Sequence, residues 1–320
     1  MKFRHLFGPV PSRRLGRSLG VDLVPFKTCT LDCVYCECGK TTCLTTERKE
    51  YIPVKPVMKE LLSFLENHPP LDYITIAGSG EPLLHLHLEE IIHFIKEHFP
   101  YYPICLLTNG TLFFQSEVRQ QVSSADLIIP SLDAGNENTF QKLNRPHPQI
   151  QLKELISGLK ALSKEYRGEI QVEVFIVPGI NDHEEELSAI KEVLIDIAPQ
   201  GLQLNTLDRP SSEDWVEEVP LKKIQEIATY LDGAIIANHS TSTIPHPGSV
   251  SFHKNTEAIL HILQRRPCTI EDLGESLKLN KIEVQKYLRY LKRIGLVETE
   301  RKKRGIFYRC KNISQEGGKE

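Results

Sequence analysis

Cys29, Cys33 and Cys36, in the run Cys29-Thr-Leu-Asp-Cys33-Val-Tyr-Cys36, put three thiols within eight residues. Thiolates are soft ligands that suit iron–sulfur clusters or zinc. A four-iron cluster held by three cysteines keeps one iron without a protein ligand, and a small molecule can bind there. A structural zinc site wants four protein ligands, and Cys38 or Cys43 can supply the fourth. The same two cysteines also fit an auxiliary cluster, a redox pair or plain loop thiols. Of the eight cysteines, five fall between positions 29 and 43; the others are Cys105, Cys268 and Cys310. A disulfide framework spreads its cysteines more evenly through a shorter chain, so this crowding favours metal in a reducing compartment.

Other polar residues gather where apolar runs end. Gly78-Ser79-Gly80-Glu81-Pro82 combines glycines that permit close backbone approach with a carboxylate; taken alone it is an ordinary turn. Thr108-Asn109-Gly110 and Ser131-Leu-Asp133 end the next two runs, Ser131 serving equally well as a helix cap. Val177-Pro178-Gly179-Ile180-Asn181-Asp182 and Gln203-Leu-Asn205-Thr-Leu-Asp208-Arg209 end two more. Asp208, Arg209 and the run Asn144-Arg145-Pro146-His147-Pro148 read as substrate-facing or structural loops. Arg13, Arg14 and Arg17 precede the first strand and suit a phosphate, the substrate or a solvated edge. Most of the twelve histidines read as surface or loop residues, since His85 and His87 lack a third ligand at useful spacing.

The segments that position these groups alternate between strand and helix over 17–235. Strands are expected at 19–24, 72–77, 103–107, 126–131, 170–177 and 201–206. Helices are expected near 54–68, 87–97, 151–166, 183–196 and 220–232. The strands are short and apolar, which suits buried parallel strands with helical crossovers. The chemistry-bearing loops then sit at the carboxyl ends of strands, where β/α folds carry their sites. Six such units are two short of a closed eightfold barrel. Periodicity leaves an open barrel and a doubly wound sheet as alternatives.

The three-plus-two cysteine spacing, with Tyr35 just before the last thiol, resembles the signature of the radical SAM superfamily. The resemblance extends over about residues 15–210. It implies a partial (β/α)6 TIM-like barrel, a [4Fe-4S] cluster on Cys29, Cys33 and Cys36, and S-adenosylmethionine (SAM) at the open iron. Glycine-glycine-glutamate motifs of that family contact the methionyl amine, which resemblance assigns to Gly78, Ser79, Gly80 and Glu81. It directs Ser131 and Asp133 to the ribose or methionyl carboxylate and the Val177 loop to the adenine. Tyr35, Thr108, Asn109 and Asn205 complete the implied cofactor-facing set. In such enzymes a reduced cluster cleaves SAM to methionine and a 5′-deoxyadenosyl radical, which takes a substrate hydrogen. A reductant such as flavodoxin or ferredoxin is implied. Because the cofactor carries the hard step, the missing acid–base pair or nucleophile signature is expected.

Residues 239–254 are rich in Ser, Thr, Pro and Gly and read as a linker between a domain at 1–238 and another at 255–310. A disordered tail is expected at 311–320. In the second domain a helix at 255–265 precedes one capped by Thr269. A third, capped by Asn280, carries Val284, Leu288, Leu291 and Ile294 on one side and is stopped by Gly295. A hairpin around the basic loop 301–304 follows. This order resembles a winged helix-turn-helix. Net charge is −3 overall but +6 between Lys281 and Arg304. Lys286, Arg289 and Arg293, with Arg301, Lys302, Lys303 and Arg304, form a phosphate-facing candidate surface or a solvated face.

Together the motifs resemble stand-alone iron–sulfur oxidoreductases likened to wyosine-base tRNA enzymes, which makes tRNA a candidate substrate. Those relatives carry further cysteines upstream of the main run, whereas none precedes Cys29 here. Modification of a protein or peptide, including glycyl-radical activation, and an iron–sulfur DNA-binding regulator are the other readings. No apolar run approaches the ~20 residues of a membrane helix, and the first residues lack a signal-peptide pattern, so a cytoplasmic protein is expected.

Overall fold

A computed structural model describes residues 3–12, 14–232, 234–236 and 252–311. Arg13, nearly all of the expected linker and residues 312–320 of the expected tail lie outside the described residues. The chain divides into two compact units, residues 1–240 and 241–320.

The first unit opens with an antiparallel hairpin, β1 (Leu6–Ser12) and β2 (Gly16–Val21). A two-residue parallel ribbon follows, β3 (Thr28–Cys29) with β4 (Cys43–Leu44), and closes the base of the cysteine loop. Then strands and helices alternate: α1 (Val54–Leu65), β5 (Tyr73–Ile76), α2 (Leu88–His98), β6 (Ile104–Thr108), α3 (Ser116–Gln121) and β7 (Leu127–Pro130). Two helices, α4 (Glu137–Leu143) and α5 (Leu152–Glu165), lead to β8 (Glu169–Ile176). The unit ends with α6 (Glu184–Ile197), β9 (Gly201–Thr206), α7 (Leu221–Tyr230) and β10 (Ile235–Ile236).

The strands join one sheet in the order β1-β2-β5-β6-β7-β8-β9-β10, parallel everywhere except β1 with β2. The order never reverses along the sequence. A doubly wound sheet needs such a reversal, so the choice left by periodicity falls to the partial barrel. The hairpin strand β1 and the short β10 form the two ends of the sheet.

Alternation of side chains across each strand builds the core. Ile74, Ile76, Ile104, Leu106, Val172 and Val174 face one way and pack with Val57 and Leu61 of α1, Ile91 and Ile95 of α2, Leu155 and Leu159 of α5, Ile190 of α6 and Ile224 of α7. The other face holds a smaller cluster of Leu15, Cys105, Leu127 and Ile129. Six strands and five helices match the segments expected from sequence. The elements outside that expectation are β1, β3, β4, α3, α4 and β10, all short or at an edge.

The second unit holds α8 (Phe252–Leu263), α9 (Ile270–Leu277), α10 (Lys281–Arg293) and the antiparallel hairpin β11 (Val297–Lys302) with β12 (Gly305–Cys310). Thr269 and Asn280 form full capping boxes with Asp272 and Glu283. Cys268 pairs with Tyr308 through two backbone hydrogen bonds, tying the turn before α9 to β12. Val284, Leu288 and Leu291 are buried as expected, but Ile294 is 46% exposed. It is the residue that ends α10, so it leaves the helical stripe. Among the described residues no helix is long and apolar enough to cross a membrane.

Replacing Asn280 by Ala removes the side-chain acceptor that caps Glu283 N and keeps the backbone N–H that donates to the Glu283 carboxylate. Urea unfolding followed through the second unit should show a loss of about 1 kcal/mol; an unchanged midpoint would mean the box contributes nothing in solution.

Candidate functional site

The cysteine loop follows β2 and is fastened to the barrel mouth along its length. Asp32 N donates to Asn144 O and Arg145 O (3.0 and 3.2 Å), Val34 N to Leu143 O (3.0 Å), and His147 N to Thr30 O (2.9 Å). Segment 143–147 therefore runs beside the loop almost as a paired strand. Val34 is fully buried with Leu143, Phe175, Val177, Leu207 and Val216. The Tyr35 ring stacks on Phe175, with centroids 3.9 Å apart and planes 9° from parallel. Ser212 Oγ lies 2.8 Å from both Cys33 O and Val34 O, to which it can donate, so the segment after β9 crosses the loop as well.

The three thiols are half-buried and unbridged. Each sulfur has its own donor. Asn109 Nδ2 and Leu31 N lie 3.5 Å from Cys29 Sγ, Asn144 Nδ2 lies 3.4 Å from Cys33 Sγ, and Lys27 Nζ lies 3.0 Å from Cys36 Sγ. Burial pushes the Cys33 thiol well up and that of Cys29 up to about 12. A hydrogen bond from Cys38, reinforced by the Lys27 ammonium, pulls Cys36 down, while Cys38 itself is pushed up. This donor set suits an iron–sulfur group: unbridged soft thiols on one loop, each sulfur already supported by a hydrogen-bond donor. Among the described residues, no group of three or more His, Cys, Asp or Glu side chains is gathered to hold a metal ion. The fold thus brings the thiols to one loop and supports each separately.

The Gly78–Pro82 turn sits against that loop. A Cβ on Gly78 would fall 2.1 Å from Asp22 Oδ1, and one on Gly80 2.1 Å from Thr28 O, so close approach explains both glycines. Asp22 accepts from Ser79 N (3.2 Å) and Ser79 Oγ (2.9 Å). Glu81 is 2% exposed. Its carboxylate accepts from Thr108 Oγ1 (2.6 Å), Leu83 N (2.9 Å) and Asn109 N (2.8 Å). Burial pushes it up to about 7 against those three donors. Asn109 in turn donates to Thr30 Oγ1 (2.8 Å). Glu81 therefore joins β5, β6 and the cysteine loop, and both its oxygens already accept protein donors.

Asp133 does the same across the mouth. Its carboxylate accepts from the Tyr35 hydroxyl, from Asn144 Nδ2 (2.8 Å) and from Phe175 N (2.8 Å). Ser131 is half-buried beside it and lines a small cavity with Leu31, Asn109 and Asn144. Val177 is buried, its N–H donating to Asn181 Oδ1 (2.7 Å). Asn205 is 7% exposed, and its side-chain oxygen accepts from Thr206 N (3.1 Å).

Other buried polar side chains join these networks. Asn181 is fully buried and also donates to Asp133 O and Phe175 O. Glu186 of α6 is fully buried and accepts from the Gly135 amide, the Asn136 side chain and Thr139. On β8 and β9, the inner positions carry Gln171, Glu173 and Gln203. Only the alternation of polar with apolar residues in those strands could have signalled them.

The substrate candidates are engaged as follows. Arg14 pairs with Glu173. Arg145 has a left-handed backbone (φ 43°) and pairs with Glu213 at 2.5 Å. Half-buried His147 is held through its backbone. Arg209 is 5% exposed, its Nε 3.4 Å from Glu37 and 3.8 Å from Asp208. In the second unit Lys286, Arg289, Arg293, Arg301 and Lys303 are exposed. Lys302 pairs with Glu300 (2.9 Å), and Arg304 pairs with Asp272 (2.8 Å) and lies over the Phe307 ring.

The Radical SAM superfamily model matches residues 23–189, and a winged helix DNA-binding domain model matches residues 252–310. A UPF0026 protein of Methanocaldococcus jannaschii is 32% identical over 280 residues, 86% of this chain and 87% of that protein. A Brachyspira hyodysenteriae protein called GTPase Obg is 34% identical over 301 residues, 94% of this chain, but the chain spans only 44% of its length. A phosphate-binding P-loop needs a glycine five residues before its Gly-Lys-Thr; here Val34 stands in that place before Gly39-Lys40-Thr41. Among solved structures, TYW1 with a lysine–pyruvate adduct bound superposes with a TM-score of 0.52 at 17% identity, covering 72% of this chain and 76% of that one. That likeness is one of fold.

The raised Glu81 carboxyl has a thermodynamic consequence. A folded-state value near 7 against an ordinary 4.5 means its contribution to stability is fully present below about pH 4.5 and is lost as pH rises through 7. The loss amounts to about 3 kcal/mol. Unfolding free energies of the wild type minus those of Glu81→Gln, measured from pH 4 to 8, should fall across that window; a flat difference would show that the carboxyl titrates at its ordinary value.

Proposed function

Because the chain belongs to the radical SAM superfamily and carries a winged-helix domain, we propose that it is an enzyme that binds a [4Fe-4S] cluster through Cys29, Cys33 and Cys36 and acts on a nucleic acid, with tRNA the leading candidate. When bound with SAM and reduced, the cluster supplies the electron that cleaves SAM and so initiates hydrogen abstraction. The observation that carries this reading is the single loop of three unbridged thiols, each sulfur supplied with a separate donor. Three ligands leave one iron of four open, and a closed zinc site would want a fourth.

The chain's own residues bind and orient. Tyr35, Asp133 and Asn144 fasten the loop, and Asn109 and Asn144 support the sulfurs of Cys29 and Cys33. Gly78, Ser79, Gly80 and Glu81 are the candidates for the methionyl end of SAM, on a turn packed against Asp22 and Thr28. Ser131, Val177 and Asn205, at or after the ends of adjoining strands, are candidates for the nucleoside. Arg14, Arg145, His147, Asp208 and Arg209 are candidates for the substrate. Electrons come from an external donor such as flavodoxin or ferredoxin.

A nucleic-acid substrate is favoured by the exposed cations of α10 and the hairpin, which suit phosphates. Exposed Ile294 and Ile306, at 46% and 48%, favour the second reading, a protein or peptide gripped by the same unit.

After anaerobic reconstitution the protein should hold about four irons with matching sulfide, and Cys29→Ala, Cys33→Ala and Cys36→Ala should each abolish this. With dithionite it should release 5′-deoxyadenosine from SAM. Bound zinc without sulfide would sink the cluster; a full cluster without SAM cleavage would favour an iron–sulfur regulator. Replacing Arg289, Arg293, Arg301 and Lys303 by Ala should weaken tRNA binding and flatten its log–log salt slope by about 0.7–0.9 for each phosphate no longer neutralised. An unchanged slope would remove this surface from nucleic-acid binding.

A further inference from the structure

Lys27 is 3% exposed, and lysine is almost never so buried unless its charge is met. Its backbone is in the left-handed region, φ 55°, which a side chain with a Cβ disfavours. Both of its peptide groups are held there. Lys27 N donates to Ser79 O at 2.9 Å, and Lys27 O accepts from Thr42 N and Cys43 N at 3.1 Å. The residue thus sits where the entry of the cysteine loop, its exit and the Gly78–Glu81 turn meet. That junction turns the side chain into the loop and sets Nζ 3.0 Å from Cys36 Sγ.

The groups whose charge acts most on Lys27 are Cys36, Cys38 and Cys29. All are thiols, and no carboxylate of the described residues forms an ion pair with Lys27. A buried ammonium without a carboxylate is stabilised only if negative charge lies in front of it. Thiolates of an iron–sulfur cluster provide such charge, and one added electron increases it. Hydrogen bonds and charge at the ligand sulfurs are what set cluster potentials. The other two sulfurs receive only neutral donors, from Asn109, Asn144 and a backbone amide. Among the donors to the three sulfurs only the one at Cys36 carries a formal positive charge, so the support is electrostatically asymmetric.

We propose that Lys27 is a positioning residue that fixes Cys36 and raises the reduction potential of the cluster, easing delivery of an electron from a protein donor. This rests on the cluster reading above.

The test is a redox titration of the reconstituted protein, followed by the electron paramagnetic resonance signal of the reduced cluster. Lys27→Met keeps the length of the side chain and removes its charge. It should retain iron and sulfide while its midpoint moves to more negative potential. The expected change is at least a tenfold fall in the ratio of reduced to oxidised cluster at the wild-type midpoint, about 59 mV for one electron. Lys27→Arg, which keeps the charge, should stay near the wild type. A fully loaded Lys27→Met with an unmoved midpoint overturns the proposal. If Lys27→Met loses iron, Lys27→Gln becomes the deciding variant, since it keeps a donor and removes only charge. Loss of iron from Met and Gln variants alike would make Lys27 a requirement for assembly and overturn the tuning role. A wild type that takes up no iron and sulfide would instead refute the cluster itself.

Discussion

One buried carboxylate, that of Asp133, holds the mouth of the barrel together. It receives Tyr35 from the cysteine loop, Asn144 from the end of α4 and the amide of Phe175 from β8. Those three donors come from separate parts of the chain and converge on a carboxylate that is 4% exposed. Leaving a buried donor unpaired costs about 1–3 kcal/mol, so the three contacts stand or fall together. Through Asn144 the same network reaches Cys33 Sγ, and through Tyr35 it fixes the ring stacked on Phe175. The position of the thiols is thus decided by a carboxylate about a hundred residues away in sequence.

The same device recurs around the mouth. Glu81 ties β5 to β6 and to Asn109, Asp22 ties β2 to the glycine turn, and Glu186 ties α6 to the loop after β7. In each case a buried acid accepts donors, several of them backbone amides, from element ends and from the loops beyond them. Such loops cannot be held by strand pairing, because they lie beyond the strand ends. Side-chain acceptors take over, and their burial keeps each geometry narrow. A site built this way is preorganised, which is what binding a cofactor and orienting a substrate require.

The winged unit is held by different means. Capping boxes fix the starts of α9 and α10, and the pairing of Cys268 with Tyr308 closes the wing onto the helices. Several of its cations already answer local carboxylates. Arg304 meets Asp272, Lys302 meets Glu300 and Arg309 meets Glu298. The raw count of basic residues therefore overstates the positive charge this surface carries.

The strands and helices of the barrel were legible in the chain because local alternation and helical periodicity are written residue by residue. The same is true of the two caps, and of the cysteine run, whose ligand chemistry is a matter of side-chain type and spacing. Strand order, the edge strands β1 and β10 and the ribbon of β3 with β4 were not legible, since pairing is a choice among distant partners. The roles of Glu81 and Asp133 lay beyond the sequence for the same reason. A carboxylate at a strand end reads alike whether it faces a ligand or a neighbouring loop, and only the arrival of Thr108, Asn109, Tyr35 and Asn144 distinguishes the two. Lys27 is the clearest instance: next to a cysteine run it looks like a solvated loop residue, and burial against Cys36 exists only once three separate segments have closed around it.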